Sequence, residues 1–397
     1  MQQLFADFTL VDGTGRDPIE HAVMLLDADR IQWVGPLVDL PGNVDRSQAI
    51  DLAGRTVIPG IIDAHIHVCW NGRQPIQELL YLDRDDLLLD AVQTVGNVLK
   101  SGTTTVRDIG GHYHMEMALR RAIDSGRIAG PRMRTSGRIL CMTGGHGHFI
   151  AHEVDGPDEF RKAARAQIKA GAETIKMMAT GGVATPGQDI QASQLTVEEM
   201  AAAVEVAHTM GRTAATHCHG AGGIKNSLLA GVDTIEHCSF LEEEAAEMML
   251  AQGSAAVFTL SVGKPLMESL APELREAAKT QRQKLAWLDE RVHRSVALAR
   301  EKGVLIGCGT DAGGNELTPH DFSMARELEE FVAHGFTPLE ALTIATRNNA
   351  QILRWDDQLG TLEKGKLADF VVLGADPLEN VANVRQIEAV YKGGELV

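Results

Sequence analysis

Five times along the chain a helix-forming stretch stops at a glycine and gives way to a short run of β-forming residues. Leu99-Lys100-Ser101-Gly102 leads into 103–108, Lys169-Ala170-Gly171 into 173–176, and Thr209-Met210-Gly211 into 213–217. Leu229-Ala230-Gly231 leads into 233–237, and Glu301-Lys302-Gly303 into 304–307. A glycine after the last helical turn supplies the left-handed cap that other residues resist. The runs that follow are short and apolar, as in strands covered on both faces. Weaker cases at 61–65, 133–136 and 255–259 raise the count to about eight strands separated by helices, the layout of a (β/α)8 TIM barrel of the α/β class. Helix starts agree. Thr196-Val197-Glu198-Glu199 and Thr337-Pro338-Leu339-Glu340 have the capping-box pattern, the second with proline at the first helical position.

The two ends read differently. Stretches at 8–13, 22–26 and 31–35, and again at 369–373 and 390–394, have the pattern of short strands with turns. Neither end is long enough to hold a good core alone. Residues 1–57 and 364–397 are therefore expected to pair into one small β-sandwich domain, with a barrel of residues 58–363 inserted between them. The segment 264–294, after the seventh strand, is charged and helical in pattern. It reads as a lid or as a plain helical excursion.

Composition limits the partners. Lysine and arginine number 37 against 54 acidic residues, a formal net charge of −17, and the charge is dispersed. That balance argues against nucleic acid or an anionic membrane as the main partner. No apolar run approaches the ~18 residues of a membrane span. Met1–Asp7 lacks the basic-then-apolar layout of a signal peptide. A cytoplasmic enzyme acting on a small molecule is the expectation, assembled as a homo-oligomer. The five cysteines are scattered and form no CxxC pair, so neither a disulfide framework nor a zinc finger is indicated. Cys218, Cys238 and Cys308 read as buried packing, and Cys69 lies close to the first HxH pair.

His65-Ile66-His67 is the first chemical signal. Residues i and i+2 of a strand face the same side, so two imidazoles point together. Alone, such a pair is weak. His217 and His237 end two further strands, Asp311 follows another, and Lys176 ends a fourth. A parallel barrel brings all these ends to its C-terminal face, where enzymes of this architecture keep their active sites.

With these residues in place the sequence resembles the amidohydrolase superfamily. The resemblance runs from Val57-Ile58-Pro59-Gly60-Ile61-Ile62-Asp63-Ala64-His65-Ile66-His67 through Gly309-Thr310-Asp311 to Leu359-Gly360-Thr361-Leu362-Glu363-Lys364-Gly365-Lys366-Leu367-Ala368-Asp369-Phe370. It implies a divalent-metal hydrolase with a barrel and a small β-sandwich. In the binuclear branch His65, His67 and Asp311 would hold one metal ion, and His217 and His237 the other. Lys176, carboxylated by CO2, would bridge both. Zinc favours such nitrogen and carboxylate ligands, whereas a free ammonium would be repelled; a carbamate supplies the anionic oxygens. The resemblance further implies that a hydroxide bridging the metals attacks an amide carbonyl. Asp311 would take the proton and pass it to the leaving amine. Asp63 and Asp108 are candidate acceptors for ligand N–H groups.

Thr143-Gly144-Gly145-His146-Gly147-His148 resembles the imidazolonepropionase-related branch that includes Xaa-Pro and other dipeptidases and carboxypeptidases. There His146 would polarise the substrate carbonyl, with His148 beside it. The bland reading is a solvated glycine loop. His219, two residues after His217, either binds a substrate carboxylate or packs. The loop 181–189 is a substrate wall, a mobile flap or a connector. The leading expectation is hydrolysis of a dipeptide or N-acyl amino acid. The alternatives are a cyclic-amide hydrolase or deaminase, and an inactive scaffold.

Overall fold

The computed structural model describes residues 2–72, 76–79, 81–262, 279–314, 318–320 and 323–397. The chain begins with β1 (Gln2–Leu10), β2 (Ile19–Asp27), β3 (Arg30–Pro36) and β4 (Ile50–Pro59). Gly60 alone separates β4 from the first barrel strand, β5 (Ile61–Ile66). There follow β6 (Thr103–Asp108), β7 (Arg132–Thr135), β8 (Leu140–Cys141), β9 (His152–Glu153) and β10 (Thr174–Met178). Next come β11 (Thr213–Cys218), β12 (Thr234–His237), β13 (Ala255–Phe258) and β14 (Leu305–Cys308). The chain returns through β15 (Phe370–Leu373), β16 (Ile387–Lys392) and β17 (Glu395–Leu396).

The fold is a (β/α)8 barrel with a β-sandwich domain drawn from both chain ends. In the sandwich the strands run β17-β16-β15-β4-β1-β2-β3. Phe5, Phe370 and Tyr391 pack there with ring centroids 4.5–5.2 Å apart, joining residues of both ends in one core. The barrel strands β5-β6-β7 and β10 to β14 are parallel throughout. All eight expected barrel strands are present. The third is split: β7 pairs with β6, and after Gly137 (φ 72°) the chain reaches β8, which pairs with β10. The split strand meets the fourth where Glu173 N–H donates to Thr135 O at 2.8 Å. The last closes on the first where Asp311 N–H donates to His65 O at 2.7 Å.

Both expected capping boxes form, at Thr196 with Glu199 and at Thr337 with Glu340. Residues 264–278 of the candidate lid lie outside the described residues; the remainder enters the helix Lys279–Lys302. Among the described residues no helix is long and apolar enough to cross a membrane. All five cysteines are free and buried.

Candidate active site at the barrel rim

Alternation along the strands decides which side chains reach the barrel interior. On β10, Ile175 and Met177 enter the apolar layer shared with the surrounding helices, so Lys176 faces inward. On β11, Ala214 and Cys218 take the apolar side and His217 the inner one. On β12 the alternation breaks. Glu236 faces inward, so His237 would face outward. Instead His237 has φ 68° and Cys238 φ 48°, and this turn brings the His237 ring to 4.6 Å from His217 and 4.9 Å from His65. Asp311 is also left-handed, at φ 52°. Such backbone at non-glycine residues is uncommon and gathers at functional sites.

The rim groups converge. Asp311 Oδ1 lies 3.1 Å from His67 Nε2 and 3.4 Å from His65 Nε2. Ligand atoms of His65, His237 and Asp311 all fall within 4.8 Å of one another. Gly309 makes room for this, since a Cβ there would stand 2.3 Å from His65 Cβ.

Each imidazole is held from behind. His65 Nδ1 meets Glu236 Oε2 at 2.8 Å, and His67 Nδ1 meets Gly110 O at 3.0 Å. Acceptors at Nδ1 keep the hydrogen there and turn the Nε2 lone pairs toward Asp311. His237 Nδ1 meets Thr259 Oγ1 at 2.8 Å. The turn after Thr259 is pinned in turn, because Leu260 and Ser261 N–H donate to the buried Glu327 carboxyl at 2.7 and 2.8 Å.

Glu236 is the hub of a buried network that the sequence reading missed. Arg107 donates to Ala64 O at 2.6 Å, to Thr234 Oγ1 at 3.1 Å and to Glu236 Oε1 at 2.8 Å. Burial pushes the Glu236 carboxyl up, but Arg107, the His65 hydrogen bond and Lys176 hold it at about 2. The available signal was a charged residue inside Thr103–Asp108, where every strand residue is buried. Asp63 and Asp108 do not take the ring hydrogens. Asp63 accepts from His65 N–H and from Thr310, and Asp108 from Val68 and Gly110 N–H, so both brace the backbone around the ligands. His320 is buried with Nε2 3.1 Å from His67 O.

Burial shifts the protonation of the centre. It pulls the Lys176 ammonium down to about 8, against Glu236 and Asp311, which favour its charge. Burial brings His219 to about 4. Burial and the neighbouring imidazoles carry His217 and His237 well below their usual value. Burial opposes the Asp311 charge, but the adjacent imidazoles of His65, His67 and His237 outweigh it and keep the carboxyl well below the ordinary range. His217, His219 and His237 are thus held neutral beside the ionised Asp311, a donor set that suits a divalent cation.

His146 and His219 join this group. The His146 ring lies 4.4 Å from that of His217, and His219 stacks 5.0 Å from His237 with Nδ1 2.8 Å from Ser239 Oγ. His148 stands apart. It is exposed, with Nδ1 3.0 Å from Gly145 O and its ring against Phe149.

A parallel barrel with histidines and carboxylates converging on its C-terminal rim has the layout of a cation-binding active site. The chain belongs to the amidohydrolase family, whose model matches residues 56–397. It is 31% identical to the ochratoxinase of Aspergillus niger over 98% of this chain and 85% of that protein. It is 26% identical to the imidazolonepropionase of Paracoccus denitrificans over 96% of this chain and 95% of that protein. A Xaa-Pro dipeptidase with methionine bound in its active site superposes with a TM-score of 0.88 at 32% identity, covering both chains in full.

Proposed function

We propose that this chain hydrolyses the amide bond of a dipeptide or N-acyl amino acid, as a Xaa-Pro dipeptidase or carboxypeptidase does, at a binuclear zinc centre. The supporting observation is the convergence of His65, His67, His217, His237, Asp311 and Lys176 beside His146 on one rim. His65, His67 and Asp311 would hold one ion, and His217 and His237 the other, with carboxylated Lys176 shared between them. Carboxylation consumes the neutral amine: its nitrogen bonds to the carbon of CO2 and releases a proton. A Lys176 pKa of about 8 leaves roughly a tenth of the amine neutral at pH 7. Bound metal ions acidify water and polarise the scissile carbonyl.

The protein's own groups do the rest. Asp311 takes a proton from the attacking water and returns it to the leaving amine. His146 donates a hydrogen bond to the carbonyl oxygen as negative charge builds there. His219 meets the free carboxylate of the substrate. His148, on the exposed side of its loop, takes no part. The similarity to a dipeptidase that holds methionine supports a product of this kind, a free amino acid.

The test is amino acid release from a broad library of L-dipeptides and N-acyl amino acids by zinc-loaded enzyme. A preference at the C-terminal residue is expected. Silence across the library, with two metals bound, would overturn the peptide reading in favour of cyclic amides.

A further inference from the structure

The loop 181–194 closes over His146. Its backbone N–H donates to Gln194 Oε1 at 2.8 Å. Gln194 Nε2 continues to Gln188 Oε1 at 3.1 Å, and Gln188 Nε2 to Gly144 O at 3.1 Å. This ladder ties the loop to the strand-end turn that carries His146. A Cβ at Gly182 would stand 2.2 Å from His146 Nε2, so only glycine there leaves room at that edge of the ring.

The opposite edge carries the information. His146 Nδ1 lies 2.9 Å from Thr185 Oγ1, and both side chains are buried. The same oxygen accepts Gly147 N–H at 2.9 Å. A threonine hydroxyl has one hydrogen to donate. Among the described residues Thr185 makes no third hydrogen bond. If Nδ1 carried the ring hydrogen, Thr185 would receive two donors and its own buried O–H would have no acceptor. An unmade buried hydrogen bond is the more expensive arrangement. The O–H therefore points at Nδ1.

We propose that Thr185 is a positioning residue that sets the tautomer of His146, leaving the ring hydrogen on Nε2 as the donor to the substrate's carbonyl oxygen. The role of that donor rests on the amide-hydrolase reading above; the tautomer assignment does not. The loop is then a fixed part of the carbonyl-binding apparatus. The other tautomer would present a lone pair to the carbonyl oxygen and repel it.

The test uses zinc-loaded enzyme labelled with 15N-histidine, with His146→Asn used to assign the His146 signals in long-range 1H–15N spectra. Wild type is expected to show the neutral Nε2–H form. Thr185→Val keeps the shape and removes the hydroxyl. It should lose that signature and lower kcat on an amide substrate at least about tenfold, with zinc content and KM little changed. Thr185→Ser should restore both. An Nδ1–H signature in wild type, or an Nε2–H signature surviving in Thr185→Val, overturns the proposal. A tautomer change in Thr185→Val with full amide turnover would uphold the assignment and refute the role given to His146.

Discussion

The two sides of the rim use similar side chains but hold them by different chemistry. On the β5, β12 and β14 side, His65 is backed by ionised Glu236, itself gripped by Arg107, and Asp311 lies against both histidines of the HxH pair. On the β8, β10 and β11 side the partners seen among the described residues are neutral. His146 is held by a threonine hydroxyl, His219 by a serine hydroxyl, and His217 Nε2 lies 3.3 Å from Gly181 O. Lys176 adds an amine to that side. One side is thus anionic before any modification, whereas the other becomes anionic only if Lys176 gains a carboxylate. Affinity for a cation is thus built unevenly into the barrel.

Four experiments probe the two sides of the rim and their supports. Asp311→Asn, on the anionic side, should lower turnover by about 10³-fold or more through loss of the proton acceptor. Fold and most bound metal should persist; near-normal activity would remove Asp311 as the proton carrier. Lys176→Ala should lose more activity than the ~100-fold typical of losing a partner behind a ligand, and short carboxylic acids should restore part of it. Two bound metals with full unaided activity in that variant would disprove the carbamate.

Glu236→Gln should weaken metal affinity by about 10- to 100-fold, read by chelator titration. It also leaves Arg107 buried without its anionic partner, a loss of roughly 3–5 kcal/mol that should appear as a lower Tm. An unchanged Tm would show that the network does not stabilise the barrel.

The effect least tied to catalysis concerns Glu327, where burial raises the carboxyl to about 8 despite hydrogen bonds from Leu260 and Ser261. The unfolded chain ionises near pH 4.5, so folding is favoured below that pH and eroded between 4.5 and 8. Glu327→Gln lacks this penalty. Its stability relative to wild type should rise by about 1 kcal/mol per pH unit across that window and level off above 8. A pH-independent difference in denaturant midpoints would show that Glu327 ionises normally.

Much of the fold was legible because a parallel barrel repeats one local grammar. Glycine after a helix and a short apolar strand are each encoded within a few residues, as at Gly211 and 213–217. The rim chemistry was legible in part for the same reason, since histidines such as His65 and His217 end strands whose ends must converge. What alternation could not give is His237, which reaches the centre only through a left-handed turn. Nor could it give the partnership of Arg107 with Glu236, 129 residues away.

The barrel, the domain drawn from both chain ends and the residue types at the rim can be read along the chain, because they follow from periodicity and strand order. How each imidazole is backed, which carboxyls are ionised, and the placing of Thr185 against His146 emerge only from the folded chain. Hydrogen-bond direction and burial depend on contacts between strands and loops far apart in the chain, and no local pattern encodes them.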